Sequence, residues 1–249
     1  MSGYDENFFR YITEGSLRSA GVIVPLLKDE FGIQSVLDVG CGAGAWLRAW
    51  REAGVQDFTG LDGAESAADN LLIPKEHFRS QDLSKPWDLG RRYDFAQCME
   101  VAEHLPSEAS APLVRSLTKH AEIIMFSAAP PGQGGQDHIN ERPYEFWHQL
   151  FTDNGYVGCD WVRPWVRDNP RVEPWYRFNS ILYVNESVLE RSATLRHSAL
   201  TSGQRIVDVA PPLYQWRRKL LSTLPPVALT QFAVLKKHVT LGRRLFRKK

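Results

Sequence analysis

Three residues within Met99–Pro106, Glu100, Glu103 and His104, are of types that move protons or bind metals. Their i, i+3, i+4 spacing would put them on one face of a helix. A fourth residue, His138, stands in the loop "PGQGGQDHINERPYEFW". Two carboxylates and two imidazoles would leave open positions on an octahedral Mg²⁺, Mn²⁺ or Fe²⁺. Such an ion would lower the pKa of a bound hydroxyl and orient its oxygen. Without a metal, His104 or His138 could serve as a general base, with Glu100 beside them. The plainer alternatives are a helix start, whose acids complement the helix dipole, and a histidine that only orients its loop.

A second set is rich in glycine. "VLDVGCGAGAW" places Gly40, Gly42 and Gly44 directly after an apolar run, and Asp62 follows 18 residues after Gly44. A glycine turn after a strand lets backbone N–H groups approach a ligand closely, and an acid ending the next strand can accept from both ribose hydroxyls. The pattern is G-C-G-A-G rather than G-x-G-x-x-G, which tells against a dinucleotide. Cys41 reads as a small packing residue, not a nucleophile.

The elements that must position these residues follow from periodicity. Residues 4–31 read as helical, with Gly15 and Pro25 interrupting the pattern. Strands are expected at Val36–Val39, up to Asp62, up to about Asp82, from Tyr93 to about Met99, and from Glu122 to about Ser127. "PYEFWHQLFTDNGY" reads as a helix with Pro143 in its first turn. "VGCDWVR" and "RFNSILYVN" are two further strands, too close in sequence for a helical crossover, and they read as an antiparallel hairpin at the sheet edge. Alternating strands and helices predict an α/β parallel sheet covered on both faces.

The bulk numbers agree with a folded domain. The chain has 249 residues, 43% apolar and 24% charged, with net charge +1. From Pro211 to Lys249 there are ten Lys or Arg and no Asp or Glu, so the preceding body is acidic on balance. Three widely spaced cysteines, Cys41, Cys98 and Cys159, argue for a reducing compartment rather than a disulfide framework. No signal-peptide pattern opens the sequence and no apolar run reaches a membrane span, so a cytoplasmic location is expected.

"VLDVGCGAGAW", "GLDGA", "SQDLSKP" and "YDFAQCMEVAEHLP", in this order and spacing, resemble class I S-adenosylmethionine-dependent methyltransferases over about residues 35–185. The resemblance implies a Rossmann-like seven-stranded sheet with its last strand antiparallel. It implies that Asp38, Gly40, Gly42 and Gly44 line the pocket for the methionine part, with Cys41 and Ala43 contributing backbone. Asp62 would hold the ribose, Asp82 the adenine amino group with Leu83 beside the ring, and Met99 would pack nearby. Asp82 could equally cap its own loop. E-x-x-E-H with a later histidine is similar to metal-binding small-RNA 2′-O-methyltransferases and to ubiquinone-pathway O-methyltransferases. In both, the accepting hydroxyl has a hydroxyl neighbour, which makes Glu100, Glu103, His104 and His138 metal-ligand candidates. The loop around His138 also resembles methyltransferases associated with glycan pathways.

The organisation expected is a helical cap over 1–34, a cofactor-binding core over 35–186 and a basic helical extension over 187–249. Between the last two strands, Arg163, Arg167, Arg171 and Arg177 mix with Trp165, Trp175 and Tyr176. That mixture suits sugars, nucleotides or phosphates, or else a packed surface loop. Segment 228–249 has an apolar stripe opposite a basic face, the pattern of a helix lying on an anionic membrane, here the inner membrane surface. RNA is the less favoured partner for it. The leading function is O-methylation of a small-molecule, sugar or glycolipid hydroxyl. The rivals are RNA 2′-O-methylation and a non-catalytic scaffold.

Overall fold

The computed structural model describes residues 6–63, 70–200 and 205–224, with side chains from Ile12 onward. Seven strands form one sheet: β1 (Ser35–Val39), β2 (Asp57–Asp62), β3 (Phe78–Ser80), β4 (Tyr93–Met99), β5 (Ala121–Ser127), β6 (Tyr156–Cys159) and β7 (Ile181–Asn185). Their order is β3-β2-β1-β4-β5-β7-β6. β1 to β5 pair in parallel, whereas β7 runs antiparallel to both neighbours, β5 and β6. The expected edge hairpin is thus present, with the last strand inserted next to β5. β3 stops at Ser80, two residues short of Asp82.

Side-chain alternation along the strands divides the core in two. Val36, Phe95 and Met99 join one cluster, and Leu37, Val39, Ala96 and Cys98 the other. The first is covered by α1 (Glu6–Phe31) and α2 (Ala45–Glu52), the second by α3 (Ser110–His120) and α4 (Tyr144–Thr152). Ala20, Ile23, Val24 and Leu27 of α1 are fully buried, so the N-terminal helix shares the main core. Gly15 and Pro25 do not interrupt α1. Gly15 instead lets it approach Glu173, whose carboxylate would lie 2.9 Å from an added Cβ.

The segment between β6 and β7 is not an extended loop. It folds into α5 (Val162–Val166) and α6 (Pro174–Asn179). Arg163 is buried, bridging Asp160 at 2.7 Å and donating to the carbonyl of Val207 at 2.9 Å. After β7 come α7 (Glu186–Arg191), α8 (Ala193–Ser198) and α9 (Pro212–Leu221). The helix expected over 228–249 lies outside the described residues. Among the described residues no helix is long and apolar enough to cross a membrane.

Candidate active site at the carboxyl ends of the strands

The strand order reverses between β1 and β4, and a crevice opens beyond the carboxyl ends there, where open α/β sheets take ligands. A cavity of about 360 Å³ occupies it. Its floor is Asp38, Gly40, Cys41, Gly42, Ala43 and Met99. Its walls include Thr13 and Ser16 of α1, Trp46 of α2, and Trp175 and Tyr176 of α6.

The turn after β1 is held by local bonds. The N–H groups of Gly40 and Cys41 both donate to the carbonyl of Leu61, at 2.8 and 3.0 Å, and that of Gly42 donates to Oδ2 of Asp62 at 2.8 Å. Gly40, at φ 77°, meets both requirements that select glycine: left-handed backbone and no space, since a Cβ there would overlap Val101. Asp38 faces the cavity from β1. It is buried, its Oδ2 has no hydrogen-bond partner, and burial pushes its pKa up to about 7, with Asp62 adding to the rise against Gln97. An orphaned buried carboxylate oxygen beside a glycine turn fits the cationic methionine end of S-adenosylmethionine. The Cys41 thiol is pushed well above its ordinary value by burial and by Asp38, consistent with a packing role.

The adenosine end is less complete. Asp62 binds the Gly42 amide, and the residues after Gly63 lie outside the described set. Leu83 is buried in the second core cluster and does not line the cavity. Asp82 does not line the cavity either. It is exposed, accepts from the backbone and hydroxyl of Ser84, pairs with Lys85 at 3.0 Å, and these contacts hold its pKa down to about 2. That is the local-cap arrangement.

Above the floor, the chain after β4 enters a left-handed residue, Glu100 at φ 57°, and then a single 3₁₀ turn, Ala102–His104. A non-glycine residue held in that region is strained, and such residues gather at functional sites. The loop after β5 folds onto this turn because the N–H groups of Ile139 and Asn140 both donate to the carbonyl of Glu103, at 2.9 and 3.0 Å. Asn140 reinforces the dock from beneath, donating to the Ala102 carbonyl and to Ser110.

That docking brings Glu103, His104 and His138 together, with one ligand atom from each within 4.8 Å of the others. Glu103 is fully buried and neither of its oxygens meets a donor; burial, then the charge of Glu100, drive its pKa well above the carboxylate range. His104 keeps an exposed surface, yet the protein packed around its ring and then His138 hold its pKa down to about 4, so the ring is neutral at pH 7. Its Nδ1 donates to the Asp137 carbonyl at 3.3 Å, and Nδ1 of His138 donates to Glu141 at 2.9 Å. In a neutral ring each of these bonds leaves Nε2 as the lone-pair atom, the one a metal or a proton would take.

The fourth expected ligand, Glu100, lies outside this cluster. It accepts from Gln133 at 2.6 Å and from Asn179 at 3.2 Å. Glu141 was not anticipated from the sequence. It accepts from His138 and from the N–H groups of Gly132 and Gly134, at 2.7 and 2.8 Å, so one carboxylate fixes both the imidazole and the glycine loop. Its place three residues after His138 was the available signal. Thr13, Ser16, Trp46 and Gln133 were also missed as lining residues.

Comparison with known proteins identifies the family of the domain. Residues 9–159 match a family described as methyltransferase domain. The ubiquinone biosynthesis O-methyltransferase of Serratia proteamaculans is 36% identical over 108 residues, covering 38% of this chain and 42% of the relative. That of Neisseria meningitidis serogroup C is 30% identical over 128 residues, covering 46% and 48%. The chain thus spans about half the length of the curated relatives it matches. Among solved structures, the sugar N-methyltransferase KedS8 of a Streptoalloteichus species superposes with TM-score 0.57 at 15% identity, covering 74% of this chain and 96% of the other. Magnesium protoporphyrin IX methyltransferase of Synechocystis gives 0.51 at 20% identity, covering 72% and 88%. These two likenesses concern the fold.

Proposed function

The chain belongs to the methyltransferase domain family, and from that premise we propose that it methylates a hydroxyl of a small-molecule, sugar or glycolipid acceptor. When bound, S-adenosylmethionine supplies an electrophilic methyl group. The protein's task is then to align acceptor and donor, exclude water and receive the hydroxyl proton.

One observation carries the reading: the cofactor floor and the Glu103–His104–His138 cluster share a single cavity. With Nδ1 of His138 bonded to Glu141, its Nε2 is the nitrogen that can take the proton of a hydroxyl lying between the cluster and the floor. Glu103, His104 and His138 also suit a divalent ion of the Mg²⁺ or Mn²⁺ class, which would lower the hydroxyl pKa and favour acceptors with adjacent hydroxyls. The curated relatives are named O-methyltransferases, which supports oxygen as the accepting atom.

RNA is the rival acceptor. No Lys or Arg occurs among the described residues lining the cavity, whereas Trp46, Trp175 and Tyr176 do, which favours a neutral acceptor with an apolar face over a phosphodiester chain. Contact of the basic C-terminal segment with an anionic membrane, and a cytoplasmic location, belong to the same proposal.

Calorimetric titration with S-adenosylmethionine, followed by labelled-methyl transfer to catechols, sugar diols and a short RNA, tests this reading. We expect saturable cofactor binding and label on a hydroxyl of the small acceptors. No binding would leave only a scaffold, and label on the RNA ribose alone would reverse the acceptor assignment.

A further inference from the structure

α9 faces the protein with one side and solvent with an apolar one. On the inner side Arg218 is buried, ion-paired with Asp208 and 3.4 Å from the Tyr144 hydroxyl, and the Tyr214 ring packs on Phe178 with centroids 5.6 Å apart. On the outer side Leu213, Trp216 and Leu220 are 76%, 63% and 56% exposed. At 100° per residue these three form one strip, with Arg217 on its shoulder and exposed Lys219 beyond. The strip opens the stretch of the chain, Pro211 to Lys249, that holds ten cationic and no anionic side chains.

We propose that this face of α9 docks on an anionic lipid bilayer. Two leucines and a tryptophan give the strip a centre that gains by leaving water, and tryptophan suits the headgroup boundary. The flanking cations add attraction to acidic lipids. Charge selects the bilayer over two other occupants. A phosphate backbone would need the cations at the centre of the strip, where leucines stand instead. A second copy of this face would set Arg217 and Lys219 against their own counterparts, with no acid in the segment to neutralise them. Docking through α9 deepens the membrane contact proposed above and does not depend on the methyl-transfer chemistry.

The test is flotation of the full-length protein with phosphatidylcholine vesicles, with and without phosphatidylglycerol. We expect co-flotation only with the acidic lipid. Combined Leu213→Ser, Trp216→Ser and Leu220→Ser should cut the bound fraction about tenfold or more. Circular dichroism, thermal unfolding and cofactor binding should not change, because all three side chains are exposed. Brominated lipid should quench tryptophan emission, and Trp216→Phe should remove part of that quenching. Three results would overturn the proposal: no flotation with acidic vesicles, undiminished flotation of the triple variant, or an unbound vesicle pool alongside RNA binding or dimerisation that the triple variant abolishes.

Discussion

The imidazole of His138 meets that of His104 edge to face, with ring centroids 4.8 Å apart and planes at 89°. The pair exists because the loop after β5 is tied by two backbone bonds to Glu103, the residue that also sends a partnerless carboxylate into the same space.

Removing any member of this cluster should therefore abolish turnover while sparing the cofactor floor. We expect Glu103→Gln, His104→Ala and His138→Ala each to lower kcat at saturating S-adenosylmethionine by about 10²-fold or more, with cofactor affinity in calorimetry unchanged. If a divalent ion is held there, chelation should reproduce the loss in the unaltered protein and Mn²⁺ should restore it. Full activity after chelation would leave His138 as a metal-free base.

Asp38 gives the floor a pH dependence. Its folded pKa of about 7 lies above the ordinary 3.8, so the folded apo-protein holds a proton that the unfolded chain has lost. Its contribution to stability is accordingly present below the ordinary value and is lost as pH rises through about 7, by about 4 kcal/mol at most. Asp38→Asn should flatten this part of the profile in denaturant unfolding from about pH 4 to about pH 8. The cationic amino group of the cofactor needs the carboxylate, so binding should release a proton below pH 7 and tighten as pH rises toward it. Calorimetry in buffers of different ionisation enthalpy reads that proton directly, and Asp38→Asn should remove the signal.

The sheet was legible because buried parallel strands are short apolar runs punctuated by glycine turns, as in Val36–Val39 followed by Gly40. Periodicity says nothing of which hairpin strand pairs with β5, and that choice belongs to β7. α6 has only six residues, too few to show a helical period, so its outcome was invisible: Trp175 and Tyr176 reach the cavity, while Trp165 of α5 is 61% exposed. In the site, His138 could be paired with His104 from topology, since both follow neighbouring strands at one sheet edge. The departure of Glu100 could not be foreseen. It follows from a left-handed backbone at a non-glycine residue and from two amides, Gln133 and Asn179, brought from distant segments.

Gly132 should be the most sensitive single position joining α9 to the site. At φ 79° an L side chain is strained, and a Cβ would overlap the carbonyl oxygen of Arg218 on the backbone of α9. The obstacle is backbone throughout, the carbonyl of Arg218 and the nitrogen of Ser222, so no rotamer change relieves it. Gly132→Ala should cost about 3 kcal/mol, from left-handed strain together with overpacking. The cost should fall locally: amides of α9 from Leu213 to Leu221 should exchange faster while those of β4 and β5 stay protected. The Gly132 N–H is also bound by Glu141, which orients His138. Acceptor KM should therefore rise and kcat fall, while S-adenosylmethionine affinity, which we assign to the turn from Gly40 to Gly44, should stay as it was. Hydrogen exchange resolved by segment, with steady-state kinetics on the same variant, checks both halves. Unchanged exchange in α9 would show that the helix does not depend on this contact.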